Sequence, residues 1–217
     1  MKKIFTNLII YTLVLLFISM SPIVIFADVY YFELNAEELY RHGLYKGISS
    51  TSYNPGLGML ADRETGIIML LRLLNEEQNA LVLSDSEANQ LLSDFKDSVQ
   101  ISFWAKKQVA YAVKLGVVKG YPDNTIKPKA MLSSKMYCTM ILKALQYDFE
   151  FSQSVNLFCE SSGIGQRLSE IFSKDGAITR DLMVGISYYA ISIPYKKNGI
   201  TIRQNLIDEG VIILKKY

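Results

Sequence analysis

Apolar residues recur at helical spacing in three separate parts of the chain. In each part they fall on one helical face: Ile67, Leu70, Leu71 and Leu74; Tyr137, Ile141, Ala144 and Leu145; Leu182, Ile186, Tyr189 and Ala190. Such spacing predicts amphipathic helices. We expect the three helices to pack against one another, because a single helix pair would leave its apolar face in water.

The segments around two of these runs repeat each other. Residues 43–47 (GLYKG) are echoed by residues 116–120 (GVVKG), and Pro55 and Pro128 follow them at the same distance. The whole chain has only five prolines, so this shared spacing indicates an internal repeat. A helix precedes each glycine-rich segment, and Gly116 is placed to end that helix in the second copy.

These patterns predict an all-α fold of three helix-loop-helix repeats. Residues that favour helix N-caps open the second helix of each repeat, at Asp62, Ser133 and Thr179. The predicted divisions are repeat 1 at 28–75, a polar linker at 76–93, repeat 2 at 94–148, and repeat 3 with a C-terminal extension at 149–217. Within that extension, Thr201–Leu214 predicts a short helix, a stop at Gly210 and an apolar, strand-like end.

Residues 1–27 have the order of charge and hydropathy that is typical of a secretory signal peptide. Lys2 and Lys3 precede an apolar run that Ser21 and Pro22 interrupt, and the small residue Ala27 ends it. The alternative is an uncleaved membrane anchor, since Leu8–Phe26 is about as long as the roughly 20 residues that span a bilayer. Both interpretations predict an exported protein.

Charge and cysteine content narrow the function classes. Residues 1–27 hold two lysines and no acid, so the 23 basic and 21 acidic residues of the whole chain become 21 of each. A neutral chain without a basic cluster argues against binding to nucleic acid or anionic membranes. Cys138 lies in an apolar helical stretch, which favours a buried thiol, and a disulfide with Cys159 remains the alternative.

Repeat 2 resembles the S-layer homology domains of bacterial cell-surface proteins. It contains Phe95-Lys96-Asp97, then Trp104-Ala105, and then the loop Gly120-Tyr121-Pro122-Asp123-Asn124-Thr125-Ile126-Lys127-Pro128, which follow the motifs of that family in order. Repeats 1 and 3 are similar more weakly, through Asp62-Arg63-Glu64 and Ile178-Thr179-Arg180-Asp181. The resemblance extends over about residues 28–215.

The resemblance implies a fold and a function. The fold would arrange the three repeats with pseudo-threefold symmetry around a central helical bundle, with grooves between neighbouring lobes. The function would be non-covalent attachment to a secondary cell-wall polysaccharide at the cell wall or cell surface, with acidic or pyruvylated sugars as ligands. The residues that it nominates for polysaccharide binding are Arg63, Arg180, Trp104, Tyr121, Asp97 and Lys135.

The two arginines carry the physical argument for an anionic ligand. Arg63 and Arg180 each follow an N-cap, where the macrodipole disfavours a cation by about 0.3–1 kcal/mol. Arginine suits that place if it shares a bound anion with free backbone N–H groups. The competing interpretation pairs Arg63 with Asp62, with Glu64 or with a carboxylate on another lobe, and Arg180 likewise with Asp181. Repeat 2 has Ser134 where the family has arginine, with Lys135 one position later, so we expect at most two well-formed grooves.

Catalysis finds little support in the residues. The chain has one histidine, His42, and it has no metal-ligand cluster, nucleophile elbow or phosphate-binding loop. We therefore predict a binding module that is not an enzyme and needs no cofactor or metal. The main alternative is an exported helical-repeat module whose grooves bind a protein partner.

Overall fold

A computed structural model describes residues 29–49 and 51–213. Those residues form ten α-helices and no strand: α1 Glu33–Arg41, α2 Arg63–Leu73, α3 Glu77–Leu81, α4 Asp85–Leu91, α5 Lys106–Lys114, α6 Ser134–Ala144, α7 Ser154–Ser162, α8 Gln166–Phe172, α9 Arg180–Ala190 and α10 Ile202–Asp208. The all-α prediction is therefore confirmed. The predicted signal peptide at 1–27 lies outside the described residues.

The three helices predicted from the apolar pattern form the centre of the fold. Helices α2, α6 and α9 each have 11 residues, and each contacts the other two. Asp62, Ser133 and Thr179 are their N-caps, and each side chain accepts a hydrogen bond from the backbone N–H three residues later. The predicted caps are confirmed.

A closed ring of backbone hydrogen bonds joins the segments that enter these helices. Ala61 N–H donates to the Ile178 carbonyl (2.9 Å), Ile178 N–H donates to the Leu132 carbonyl (2.8 Å), and Leu132 N–H donates to the Ala61 carbonyl (2.9 Å). All three residues are buried. Because buried backbone groups need partners, the ring fixes the three helix starts beside one another.

The outer helices pack in a cyclic order. Helix α5 of repeat 2 packs on α2, α7 of repeat 3 packs on α6, and α1 of repeat 1 packs on α9. Each outer helix thus covers the central helix of the preceding repeat, and repeat 1 closes the cycle. This order agrees with the implied pseudo-threefold arrangement, which stays a prediction for the repeats as whole units.

Acidic residues in the first turns of two central helices hydrogen-bond to the start of the outer helix that packs on each of them. The Asp181 carboxylate accepts hydrogen bonds from Tyr31 N–H (3.1 Å) and Phe32 N–H (2.9 Å), at the start of α1. The Glu64 carboxylate accepts one from Ser102 N–H (3.0 Å), ahead of α5. Lys135 takes the corresponding place in α6. The carboxylates in these first turns therefore stabilise the fold, because they accept backbone hydrogen bonds from the outer helices.

Close packing explains two residues of the core. A side-chain carbon at Gly185 would lie 2.5 Å from the Phe32 ring, so only glycine admits that ring against α9. Cys138 is a buried free thiol, as predicted, and Cys159 is a second buried free thiol. Burial raises the pKa of both thiols, so both are protonated at neutral pH.

The structure adds helices to one predicted segment and corrects another. The polar segment 76–93, predicted as an inter-repeat linker, contains α3 and α4, and both pack on α5. The apolar end after Gly210 is not strand-like up to residue 213, because Val211 and Ile212 donate to the Leu206 carbonyl and fold back on α10. The short helix before it is confirmed as α10. No helix in the described part of the chain is long and apolar enough to cross a membrane.

Candidate functional site

A cavity of about 510 Å³ lies between repeats 1 and 2. Its walls are Arg63 at the start of α2, the glycine-rich segment 116–121, one face of α6, and two aromatic residues beyond α6. The lining residues on and after α6 are Met136, Thr139, Met140, Lys143, Tyr147 and Phe151. We call this space the Arg63 cavity.

Arg63 is nearly buried, and its partners leave it incompletely satisfied. The residue is 8% exposed. One terminal nitrogen donates to the Lys119 carbonyl at 3.3 Å, the other contacts Met140 Sδ at 4.0 Å, and buried Nε has no partner. The guanidinium carbon lies 5.1 Å from the centre of the Tyr121 ring. Burial lowers the pKa of Arg63, and Tyr121 acts in the opposite direction.

Among the residues that the structure describes, no carboxylate lines the Arg63 cavity, whereas two lysines do. Lys119 and Lys143 are the other charged lining residues. The acids beside Arg63 are engaged elsewhere: Asp62 accepts from Thr65, and Glu64 pairs with Lys129. Among the described residues, neither Arg63 nor Arg180 forms an ion pair. The competing interpretation, in which a neighbouring acid neutralises each arginine, is wrong.

The backbone N–H groups beside the arginines are not free, contrary to the sequence-based argument. Arg63 N–H donates to the Ala130 carbonyl (2.9 Å), and Glu64 N–H donates to the Pro128 carbonyl (3.0 Å). At the start of α9, Arg180 N–H and Asp181 N–H likewise donate to carbonyls of the repeat 1 loop. These loop carbonyls accept from the N–H groups at both helix starts, so a bound anion cannot share those donors with the arginines.

Asp97 fixes the shape of the repeat 2 loop, residues 120–128. Its two carboxylate oxygens accept hydrogen bonds from Ile126 N–H and Lys127 N–H, both at 2.8 Å. Tyr121 N–H donates to the Thr125 carbonyl at 2.8 Å and closes the turn. Asp97 is buried and does not line the Arg63 cavity, so its contacts position the loop that carries Tyr121.

Lys135 lies next to the Arg63 cavity but outside it. Its ammonium is 5.8 Å from the centre of the Phe151 ring, and it lines a second cavity of about 330 Å³ that extends to segment 172–177. Phe151 and Met136 line both cavities. The two spaces are therefore neighbours, separated by apolar side chains.

Trp104 lies on the surface, in a third cavity of about 540 Å³ formed with α4 and α5. It is 57% exposed, and its neighbour Phe103 is 91% exposed, so neither ring belongs to the core. Gln108 lines the same cavity, and its buried Oε1 has no donor among the described residues. Exposed aromatic faces beside an unpartnered amide are suited to a sugar ring, whose apolar face stacks while its hydroxyl groups donate.

Arg180 does not line the Arg63 cavity, so the structure does not bring the two arginines together in that site. Arg180 lies beside Tyr45, and its Nε is buried without a partner. Burial raises the pKa of Tyr45, and the nearby positive charge of Arg180 acts in the opposite direction. Tyr45 is the third residue of GLYKG, as Val118 is of GVVKG, and Val118 lines the Arg63 cavity.

Sequence reasoning did not nominate Lys119, Lys143, Tyr147 or Phe151. Lys119 could have been found, because the repeated GxxKG segment keeps a lysine at residues 46 and 119. The other three come from α6 and the segment after it, so only the packing of repeat 1 against repeat 2 shows that they face Arg63. Of the nominated residues, the cavity brings together Arg63 and Tyr121.

Comparison with known proteins supports the resemblance in repeat 2. Residues 94–133 match the S-layer homology domain family. A protein named exoglucanase XynX, from Acetivibrio thermocellus, is 28% identical over 110 residues, which are 51% of this chain and 9% of that protein. The segment that matches the family, residues 94–133, contains Asp97, Trp104 and the whole loop that carries Tyr121. S-layer homology domains are anchoring modules of the bacterial cell wall, so the match indicates anchoring at the cell surface.

Proposed function

We propose that the chain attaches non-covalently to a secondary cell-wall polysaccharide by binding an acidic sugar, such as a pyruvylated one, in the Arg63 cavity. One observation carries the proposal. A nearly buried guanidinium without a carboxylate partner faces a cavity that two further cations and several aromatic rings line. Buried cations are normally paired, so this arrangement calls for an anion from outside the chain.

The geometry of Arg63 suits a carboxylate. Its planar fork is able to donate two parallel hydrogen bonds to the two oxygens of one carboxylate, and Lys119 and Lys143 add positive charge. Tyr121, Tyr147 and Phe151 offer apolar faces to the sugar ring. A volume of about 510 Å³ is in the range of small-molecule sites, roughly 300–1,000 Å³, and leaves space for one or two sugar units.

The remaining nominated residues take separate roles in the proposal. Trp104, with Gln108, forms a second platform for a sugar further along the polymer. Lys135 adds positive charge beside the Arg63 cavity, and Asp97 positions the loop. Arg180 is a candidate contact outside the Arg63 cavity, and it is the natural comparison for Arg63.

This function needs no catalysis, metal or cofactor. Among the described residues, no group of three or more His, Cys, Asp and Glu side chains is placed to hold a metal ion. The protein would act at the cell wall as an anchor after export directed by residues 1–27. We assign no activity from the exoglucanase relative, because only 9% of its length is matched.

Sedimentation with purified cell-wall sacculi tests the proposal. The protein lacking residues 1–27 should sediment with intact sacculi and remain in solution with sacculi stripped of secondary polymer. Arg63→Ala and Arg180→Ala should each reduce sedimentation, and unchanged sedimentation of either variant would remove that arginine from the binding site. Equal sedimentation with both kinds of sacculi would reject the polysaccharide and favour the protein-partner alternative, to which the exposed Phe103 and Val99 would then contribute.

A further inference from the structure

Repeat 1 contains a counterpart of the cation pair that lines the Arg63 cavity. Lys46 has the same place in the GLYKG segment as Lys119 has in GVVKG. Arg72 is the tenth residue of the 11-residue helix α2, as Lys143 is of α6. Lys46 and Arg72 also line one cavity together, as Lys119 and Lys143 do. Repeats 1 and 2 therefore each carry a pair of cations, and the two pairs occupy equivalent positions.

The two cation pairs differ in what neutralises them. In repeat 1, the Glu77 carboxylate lies between the cations: Lys46 Nζ donates to one oxygen at 2.6 Å, and Arg72 Nε and a terminal nitrogen approach the other at 3.0 and 2.9 Å. The Glu77 side chain is 9% exposed. Its two oxygens therefore accept the hydrogen bonds that a bound carboxylate would accept.

Within residues 29–49 and 51–213, no equivalent carboxylate reaches the Arg63 cavity. The chain leaves both helices in the same way, with Asn75 and Gln146 at positive φ two residues past the helix end. Asp148 is then the positional equivalent of Glu77, but it is exposed and does not line that cavity. Glu77 differs because it begins α3, which packs on α5 and turns the carboxylate inward.

We propose that the Lys46–Arg72 cleft is a second carboxylate-binding site that Glu77 occupies as a built-in ligand. This cleft is the cavity of about 230 Å³ that Lys46, Arg72 and Glu77 line, less than half the volume of the Arg63 cavity. The inference rests on the proposed function of the Arg63 cavity. It means that the wild-type chain binds one acidic sugar, at repeat 2, while repeat 1 is closed by its own side chain.

The test is an NMR titration with the methyl glycoside of a 4,6-pyruvylated hexosamine. In the wild type, saturable shifts should appear in the amides of residues 116–121 and not in those of residues 43–47. Glu77→Gln keeps the shape of the side chain and removes its charge, so residues 43–47 should then bind at least about tenfold more tightly. Glu77→Ala is a second variant that also removes the built-in ligand.

The control is the double variant Arg72→Gln/Glu77→Gln, which lacks one cation as well and should show no shifts at residues 43–47. Shifts there in the two Glu77 single variants alone support the proposal. It is overturned if both variants fold and show none, if the wild type binds there equally well, or if neither variant folds. Absence of shifts at residues 116–121 would instead refute the proposed function of the Arg63 cavity, and the two failures are thereby distinguishable.

Discussion

Replacing Arg63 with methionine separates a ligand-binding arginine from a structural one. The Arg63 guanidinium donates to the Lys119 carbonyl at 3.3 Å, contacts Met140 Sδ at 4.0 Å, and lies over the Tyr121 ring at 5.1 Å. A hydrogen bond from a charged group contributes about 1.5–3 kcal/mol, and a cation over a ring about 0.5–2 kcal/mol. The desolvation of an unpaired ion opposes them with several kcal/mol. These effects nearly cancel in the folded chain.

Methionine keeps the length and apolar stem of the side chain and fits beside Met140. Replacing buried charge by apolar groups of similar volume is often neutral, or stabilising by about 1–4 kcal/mol. We therefore expect Arg63→Met to leave the free energy of unfolding unchanged or to raise it. Binding should behave differently, since methionine can make neither of the two charged hydrogen bonds to the sugar carboxylate. At about 1.5–3 kcal/mol each, their loss should weaken binding by at least roughly 100-fold.

Two measurements on the same preparations decide the matter. Urea unfolding gives the stability, and calorimetric titration with the pyruvylated glycoside gives the affinity. Lys127→Met is the matched control, because Lys127 Nζ lies 4.3 Å from the centre of the same Tyr121 ring but does not line the Arg63 cavity. The reasoning is refuted if Arg63→Met loses more than about 2 kcal/mol of stability and binds normally, as a structural arginine would.

Three further predictions follow from packing, exposure and charge. Gly185→Ala should lower the free energy of unfolding by about 1–2 kcal/mol in urea, because the clash with the Phe32 ring outweighs the gain in helix propensity; higher stability would contradict this packing. Trp104→Ala should unfold like the wild type, within about 0.5 kcal/mol, and should weaken sedimentation with sacculi additively with Arg63→Met; a non-additive loss would place Trp104 in the Arg63 cavity. Glu77 is predicted to make stability depend on pH: burial disfavours its charge, but hydrogen bonds from Arg72 and Lys46 outweigh burial and lower its pKa. The ion pairs therefore stabilise the fold above the ordinary glutamate pKa, and this stability is lost as the pH falls through the lower folded pKa. Urea unfolding from about pH 6 to about pH 3 should show a steeper loss of stability in the wild type than in Glu77→Gln. Parallel curves of stability against pH would exclude this role for Glu77.

The helical pattern and the caps were readable from the sequence because both depend on local physics. Apolar spacing along one helix face and a side-chain oxygen at the N-cap act within a few residues. For this reason α2, α6 and α9 begin where Asp62, Ser133 and Thr179 predicted. The two helices within segment 76–93 were not predicted because they are short and polar, and contact with α5 stabilises them rather than their own periodicity.

The candidate site likewise has features that the sequence predicted and features that only the fold shows. The sequence identified Arg63 and Tyr121, since a repeated motif marks residues at fixed distances along the chain. It suggested free N–H groups beside the arginines, but those groups donate to loop carbonyls that lie far away in sequence. It could not show that Asp97 is buried under a loop or that Trp104 faces a different cavity.

By itself, the sequence determined that the chain is helical, that it is repetitive, and which residue types recur at the helix starts. The tertiary structure alone decided which cations remain without an acid. Lys46 and Lys119 are equivalent in the sequence, yet only Lys46 meets Glu77, because α3 packs on α5 and turns that carboxylate inward. Ion pairing depends on distances of a few ångströms between residues far apart in the chain, and periodicity carries no information about those distances.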